Sequence, residues 1–458
     1  MLPPSSLSFA TPPRALARAP AWPWGRPPTV RRSRFGGAKI DRVAPLPLLI
    51  ACLLVGNAHA QISPYSIGLS QTLGYDSNLL RLALEEVPPE GFFESDRSHT
   101  TTLLGGFDQD IGRQRVFANA SLRDTRYSRN KIFNNQGYNL RAGLDWSTIE
   151  RLSGSINFSA NRNLQRFNSA EIGFLREKNL ETVRSLTTSA SLGLITEYSL
   201  EVSGGRTEVR NSLQLPSVQA REFTQDNANV GLRWRPSSIS SLGLSLGSTR
   251  GLYPKFRATV DAQQQPTGFA ADRFKRDDIE LSGSYRASGA SSFAARISTG
   301  KTVFDLNTQR DFSGLTGNLA WTWQATGKLV FTTAVTRDTG QESYATAIFT
   351  LPTTADYSRK NTVWQVSTGY TLSSKVSINS SVLHYRSELV RTIENPLFPL
   401  EAQGRDKVTQ ISLGARWTPL RSVQAGCDFS NQNRRGEGAL GVSLRGTTFS
   451  CFGQVTLQ

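Results

Sequence analysis

The sequence is short of the side chains that most often carry metal, redox or acid–base chemistry. It holds one Met, three His and three Cys in 458 residues. So few His and Cys give no zinc spacing. No full phosphate-binding Gly-rich loop and no G-x-S-x-G in a strand–turn–helix context occurs. Long apolar runs are missing too. Outside the N-terminal region nothing approaches the roughly 18 residues that a membrane-spanning helix needs. Only 38% of residues are hydrophobic. What is abundant is Ser, Thr, Asn, Gln and Gly. This is poor material for amphipathic helices and good material for strands with one polar face.

The N-terminus reads as an export signal. Residues 1–42 are rich in Pro and Arg, 43–56 (VAPLPLLIACLLVG) are apolar but too short to span, and Ala58-His59-Ala60 follows. A basic stretch, an apolar stretch and A-x-A predict cleavage between Ala60 and Gln61. Two other patterns are poorer: VRRSRF lacks twin-arginine spacing, and LIAC at Cys52 is followed by further apolar residues where a lipoprotein box would end. Residues 1–60 hold eight Lys/Arg and one Asp, so a chain starting at Gln61 carries 44 basic and 35 acidic residues. Its net charge is +9, and Arg outnumbers Lys 35 to nine. No clustered basic helix points to nucleic acid.

Residues 61–458 show no composition boundary and read as one domain built from repeated hairpins. GLDWSTIERLSGSINFS (143–159), GLRWRPSSISSLGLSLG (231–247) and GARWTPLRSVQAGCDFS (414–430) share one form: alternation, a tight turn, alternation. Longer polar connections at 77–97, 255–272, 343–357 and 392–404 separate them. The spacing predicts about 18 strands (16–18), joined by alternately short and long links. Within a strand the faces separate. Tyr138, Leu140, Ala142, Leu144 and Trp146 oppose Asn139, Arg141, Gly143 and Asp145. Trp146, Trp234, Tyr285, Trp323, Tyr370 and Trp417 each close a run before a short turn, on the apolar face. Aromatics at one level beside short turns are a membrane-interface signature. The expectation is therefore an all-β fold: a transmembrane antiparallel β-barrel of the outer-membrane type. Its partner is the outer-membrane lipid bilayer, reached by export through the inner membrane.

On that reading the polar faces line a lumen. The candidate lining residues are Arg141, Asp145, Asn157, Asn161, Asn163, Arg233, Arg235, Arg296 and Arg416. A lumen of such groups suits hydrated solutes, although inward Arg and Asp often simply pair across the wall. No cofactor, metal or catalytic residue is expected. Within 61–458 only His99 and His384 remain: His384 has Val382 and Arg386 two residues away, neither a nucleophile, and His99 sits where a strand begins after a long loop.

IGLSQTLGYDSNLLRL (67–82) resembles the first strand of outer-membrane proteins encoded in exopolysaccharide biosynthesis operons, the EpsL type, within the wider beta-barrel porin 2 group. Gly74 to Leu79 carries most of the likeness. The Trp-x-Pro hairpins and a cysteine-bearing last strand pair agree with it. The resemblance implies a barrel serving exopolysaccharide export or assembly, with exopolysaccharide and periplasmic export components as partners. It brings no catalytic residues. A small-solute porin and a structural or adhesive barrel are the alternatives. The chain departs from outer-membrane barrels in ending Leu457-Gln458 rather than on an aromatic residue. Cys427 and Cys451 share the outward parity of the last two strands, on either side of a turn centred near residue 439. They either form a disulfide across that hairpin or stay as two thiols in the lipid belt.

Overall fold

Period-2 alternation through 228–235 continues through nearly the whole chain, and the backbone follows it. A computed structural model describes residues 63–165, 176–193, 197–261, 263, 266–338, 358–393 and 400–458. The signal segment and its junction Ala60–Gln61 lie outside the described residues, as does the expected connection 343–357. The strands are β1 Tyr65–Asp76, β2 Asp96–Ile111, β3 Gln114–Tyr127, β4 Asn135–Ser147, β5 Leu152–Gln165 and β6 Asn179–Gly193. Next come β7 Tyr198–Asn211, β8 Phe223–Ser237, β9 Ser240–Val260, β10 Pro266–Ser288, β11 Ser291–Phe304 and β12 Phe312–Thr326. Last are β13 Leu329–Asp338, β14 Ser358–Ser373, β15 Val376–Ile393, β16 Leu400–Leu420, β17 Val423–Gly438 and β18 Leu444–Leu457. Among the described residues, helix is confined to short turns such as α1, Pro216–Gln219.

Each strand pairs antiparallel with the next, and β1 also pairs with β18, from Ile67 opposite Leu457 to Asp76 opposite Thr448. The 18-stranded sheet is therefore closed. Closure removes both edges, so every strand has two ladders to satisfy its backbone groups. The fold is a closed antiparallel β-barrel of the outer-membrane type.

Register sorts the side chains into two faces. Trp234 sits opposite Leu242, Leu232 opposite Leu244 and Val230 opposite Leu246. The row continues with Leu244 opposite Leu281 and Leu281 opposite Ile297. All of these are exposed, in a belt whose area only a bilayer covers. The other face is polar. A cavity of about 360 Å³ is lined almost wholly by that face, including Glu201, Asn229, Arg233, Arg276, Asp278 and Glu280. The polar face is thus the inside.

Two differences from the sequence reading have a common cause. The expected loop 255–272 is mostly strand, since β9 runs to Val260 and β10 starts at Pro266. Similarly β15 runs to Ile393 and β16 starts at Leu400, inside the expected loop 392–404. Charged residues there mark strand that has left the apolar belt, not a break in pairing. The connection after β1 is also more ordered than its polarity suggests. Leu79, Leu80 and Leu82 are buried with Phe133 at the long-loop end.

Candidate functional site: the barrel interior

Inside the barrel, β7 to β11 carry a ladder of opposite charges. Strand alternation sends Glu201 of β7 and Arg233 and Arg235 of β8 to the same face. Arg233 donates twice to Glu201, at 2.6 and 2.8 Å. Arg235 reaches the same carboxylate at 3.5 Å and donates to Ser199 Oγ at 2.8 Å. On β10 and β11, Arg296 contacts Glu280 at 3.0 Å. Higher up, Arg276 lies 3.4 Å from Asp278, which also accepts from Ser298 at 2.9 Å. Across the barrel, Arg416 of β16 grips Asp428 of β17 with two bonds of 2.9 Å. Paired in this way, the inward arginines supply direction and hydrogen-bonding capacity more than net charge.

β4 and β5 form a different wall. Asp145 faces Ser155 across the ladder, Gly143 faces Asn157, and Asn139 faces Asn161. Asn157 donates to Ser155 at 3.1 Å and Asn163 to Asn161 at 3.4 Å. Arg123 of β3 bonds Asn163. Arg115 of β3 stands 4.0 Å from Asp145 and 2.6 Å from Asp108. Arg141 lies over the Phe117 ring at 5.9 Å. The nine candidate residues therefore fall on the polar face but not in one constellation. A neutral amide wall holds Asn157, Asn161 and Asn163, while the charged walls hold Arg233, Arg235, Arg296 and Arg416.

Among carboxylates the sequence reading named Asp145 and missed Glu201, Asp278 and Glu280. The signal for them was parity. Glu201 alternates with Ser199 and Ser203 and so shares the inward face, as Glu280 does with Ser282 and Ser284.

The interior is not polar throughout. Above the cavity, Val209, Phe223, Tyr253, Phe274 and Phe304 form a buried inward cluster. Gly251 faces Phe274 across the ladder, and a Cβ there would meet the ring at 2.0 Å. Glycine is what lets the ring lie against the wall. Asp272 is fully buried next to this cluster. It accepts from the Leu306 N–H at 2.9 Å, and burial holds its carboxyl above the usual carboxylate range. Its outward neighbours Arg273 and Lys275 are charged, which puts this level beyond the apolar belt.

The aromatic residues named from the sequence all lie on the outward face near the short turns. Tyr198 stacks on Trp234 at 6.3 Å, and Phe293, Trp321, Trp323 and Phe331 form a continuous stack across three strands. Trp146 covers Gly154, whose Cβ would meet its ring at 2.6 Å. Cys427 and Cys451 sit opposite each other in register and are joined by a disulfide. His384 faces outward and its Nδ1 meets Thr409 Oγ1 at 3.1 Å. No carboxylate orients the ring among the described residues.

The Gly74–Leu79 stretch does architectural work. Asp76 accepts from the Asn78 N–H at 3.0 Å and pairs with Arg81 at 3.3 Å. Asn78 donates to the carbonyls of Leu82 and Arg445, at 3.0 and 2.9 Å, and accepts from the Leu82 N–H at 2.8 Å. Ser77 and Thr447 exchange two bonds of 2.9 and 2.8 Å. These residues fold the first connection back over the rim and fasten it to β18.

No protein-family model matches the chain, and none of the curated proteins is similar to it. Among solved structures it is similar to the outer membrane protein OpdK of Pseudomonas aeruginosa, at 12% identity and a TM-score of 0.43, over 86% of this chain and 99% of that one. It is also similar to OccK2 (OpdF) of the same organism, at 9% identity and a TM-score of 0.46, over 86% and 98%. A third is the FrpB iron transporter of Neisseria meningitidis, at 9% identity and a TM-score of 0.46. The match covers 83% of this chain and spans 63% of FrpB.

Proposed function

We propose that this chain is an outer-membrane channel through which hydrophilic solutes diffuse passively. The single observation carrying the reading is the inversion of polarity: an exposed apolar belt outside a closed barrel, and Arg–carboxylate pairs and amides inside it. Barrels of 16–18 strands enclose more space than their side chains fill. A sugar hydroxyl in such a lumen exchanges bonds to water for bonds to Asn157, Asn161 or Arg233 at little net free-energy change. The lining then sets orientation and rate rather than affinity. The N-terminal segment is the export signal on this reading, with cleavage after Ala60. The outward aromatic tier, Trp146, Trp234, Tyr285, Trp323, Tyr370 and Trp417, marks the interface on the side of the short turns.

Passage of exopolysaccharide is the finer form of the proposal. The resemblance of 67–82 supports it, but Asp76, Ser77 and Asn78 are engaged in holding the rim and not in contacting a polymer. Swelling of vesicles containing the full chain, in sugars of increasing size, tests the channel. Swelling that falls smoothly with solute size is expected, and vesicles that stay impermeable to a monosaccharide sink the proposal. Block of that swelling by an acidic polysaccharide supports the polymer reading, and indifference to it favours the small-solute porin.

A further inference from the structure

The outer wall carries a feature that solute passage does not need. One row of residues crosses β13 to β17 in register: Arg337 opposite Thr362, Thr362 opposite Arg386, Arg386 opposite Lys407, and Lys407 opposite Arg435. Four of these five are cations. They share parity with Trp364, Val366 and Ile411, so they point out of the barrel. Like charges placed directly opposite each other destabilise an antiparallel pair. Lys407 is answered by Glu437 at 2.5 Å. Arg337, Arg386 and Arg435 are exposed and have no hydrogen-bond or ion-pair partner among the described residues.

The next row away from the membrane makes the contrast. Lys360 faces Glu388, Glu388 faces Arg405, and Arg405 faces Glu437. Signs alternate there, and Lys360 contacts Glu388 at 3.0 Å. In that row an acid stands opposite each cation, with Glu388 between Lys360 and Arg405 and Glu437 opposite Arg405 while contacting Lys407, whereas the row below it holds no acid of its own. The position of the cationic row is equally telling. Trp364, 56% exposed, is the last large apolar side chain on the outer face of β14. Thr362 is the next outward position, about 7 Å further along the strand. An interfacial Trp marks headgroup level, and the cations stand just beyond it, at the long-loop end.

We propose that this row binds the phosphate groups of the lipid leaflet at the long-loop rim. The inference rests on the membrane placement proposed above. Guanidinium groups pair with phosphate through two parallel bonds, and Lys adds a point charge. One phosphorylated headgroup lying across two strands would answer two cations at once and remove their repulsion. The lumen is not involved, because every cation of the row is on the opposite face from Glu201 and Asp428.

The test uses the full chain in detergent, titrated with diphosphoryl lipid A or with its fully dephosphorylated form and read by native mass spectrometry. The variant is Arg337→Gln/Arg386→Gln/Arg435→Gln, which leaves the Lys407–Glu437 pair intact. Lys360→Gln/Arg405→Gln in the balanced row is the control. At about fivefold per cation near a charged membrane surface, the triple variant is expected to bind the phosphorylated lipid about 100-fold more weakly. The control should change less than about threefold. Unchanged affinity of the triple variant, or equal binding of the dephosphorylated lipid, overturns the proposal. Displacement of the lipid by a phosphate-free polyuronate overturns it too, in favour of a soluble polyanion. Insertion into phosphatidylcholine vesicles is scored in parallel. Normal insertion with unchanged lipid affinity removes only this inference, and failure of the wild type to insert removes the membrane placement with it.

Discussion

Leu244 and Ser245 are adjacent on β9 and are assigned opposite surroundings, so a single charge placed at each separates the account from its alternatives. Leu244 lies in the row Leu232–Leu244–Leu281–Ile297, midway between Tyr285 at the short-turn edge and Asp277 at the far edge. Four residues separate it in register from each limit, about 13 Å of strand. An Arg facing lipid at mid-depth costs about 2–4 kcal/mol in a membrane barrel. At 1.4 kcal/mol per decade, Leu244→Arg shifts the folding equilibrium by roughly 30- to 700-fold. Ser245 lines the cavity beside Arg233 and Glu280. Ser245→Arg places the same charge among water and carboxylates, and it should cost less than about 1 kcal/mol. Urea unfolding of each variant in phospholipid vesicles, followed by tryptophan fluorescence, measures both. Equal costs, or a larger cost at Ser245, would refute the assignment of faces. A soluble β-sandwich with its apolar face inward would also penalise Leu244→Arg. It would unfold without lipid, however, whereas here the wild type itself needs a bilayer or micelle.

Three further outcomes follow from named contacts. Cys427→Ser opens a loop with a sequence separation of 24. The loop-entropy relation gives about 3 kcal/mol for that constraint, and unfolding with and without reductant should differ by that amount in the wild type only. Glu201→Gln/Glu280→Gln leaves Arg233, Arg235 and Arg296 without their carboxylates. The reversal potential in a salt gradient should move toward anion preference, while stability changes by about 1 kcal/mol or less per pair because these groups are partly hydrated. Asp272 is an acid held above its ordinary value by burial. Its charged form is therefore the costly one in the fold: the rim is least stable above the folded-state pKa and gains stability as pH falls through it. The gain ends below about 4, where the unfolded chain is protonated too. Protection of the Leu306 amide, taken relative to its intrinsic exchange rate at each pH, should rise on acidification in the wild type, and Asp272→Asn should show no such rise.

Most of the architecture is legible as alternation because a barrel wall has one rule: apolar out, polar in. Trp234 and Leu232 against Arg233 and Arg235 already state it, and the strand count follows from counting such runs. What alternation does not encode is where a strand leaves the membrane. Residues 255–272 hold charged and turn-forming residues, with Gln263 to Gly268 at their centre, and so read as loop, although β9 and β10 continue to pair there. Long-range partnership is likewise invisible in composition. Arg233 looks like a free cation until register puts Glu201 opposite Gly231, two residues from it on the same face. The same holds for the inward aromatic cluster. Phe223, Tyr253, Phe274 and Phe304 come from four successive strands, and only the register of their pairing brings them together.

The most direct test of the central claim is conductance across a planar bilayer after addition of the refolded chain. Discrete upward current steps are expected, each persisting after insertion and changing in ion preference with Glu201→Gln/Glu280→Gln. A chain that inserts into the bilayer, as judged by protease protection of its strands, yet gives no steps would contradict a lumen open to hydrated solutes.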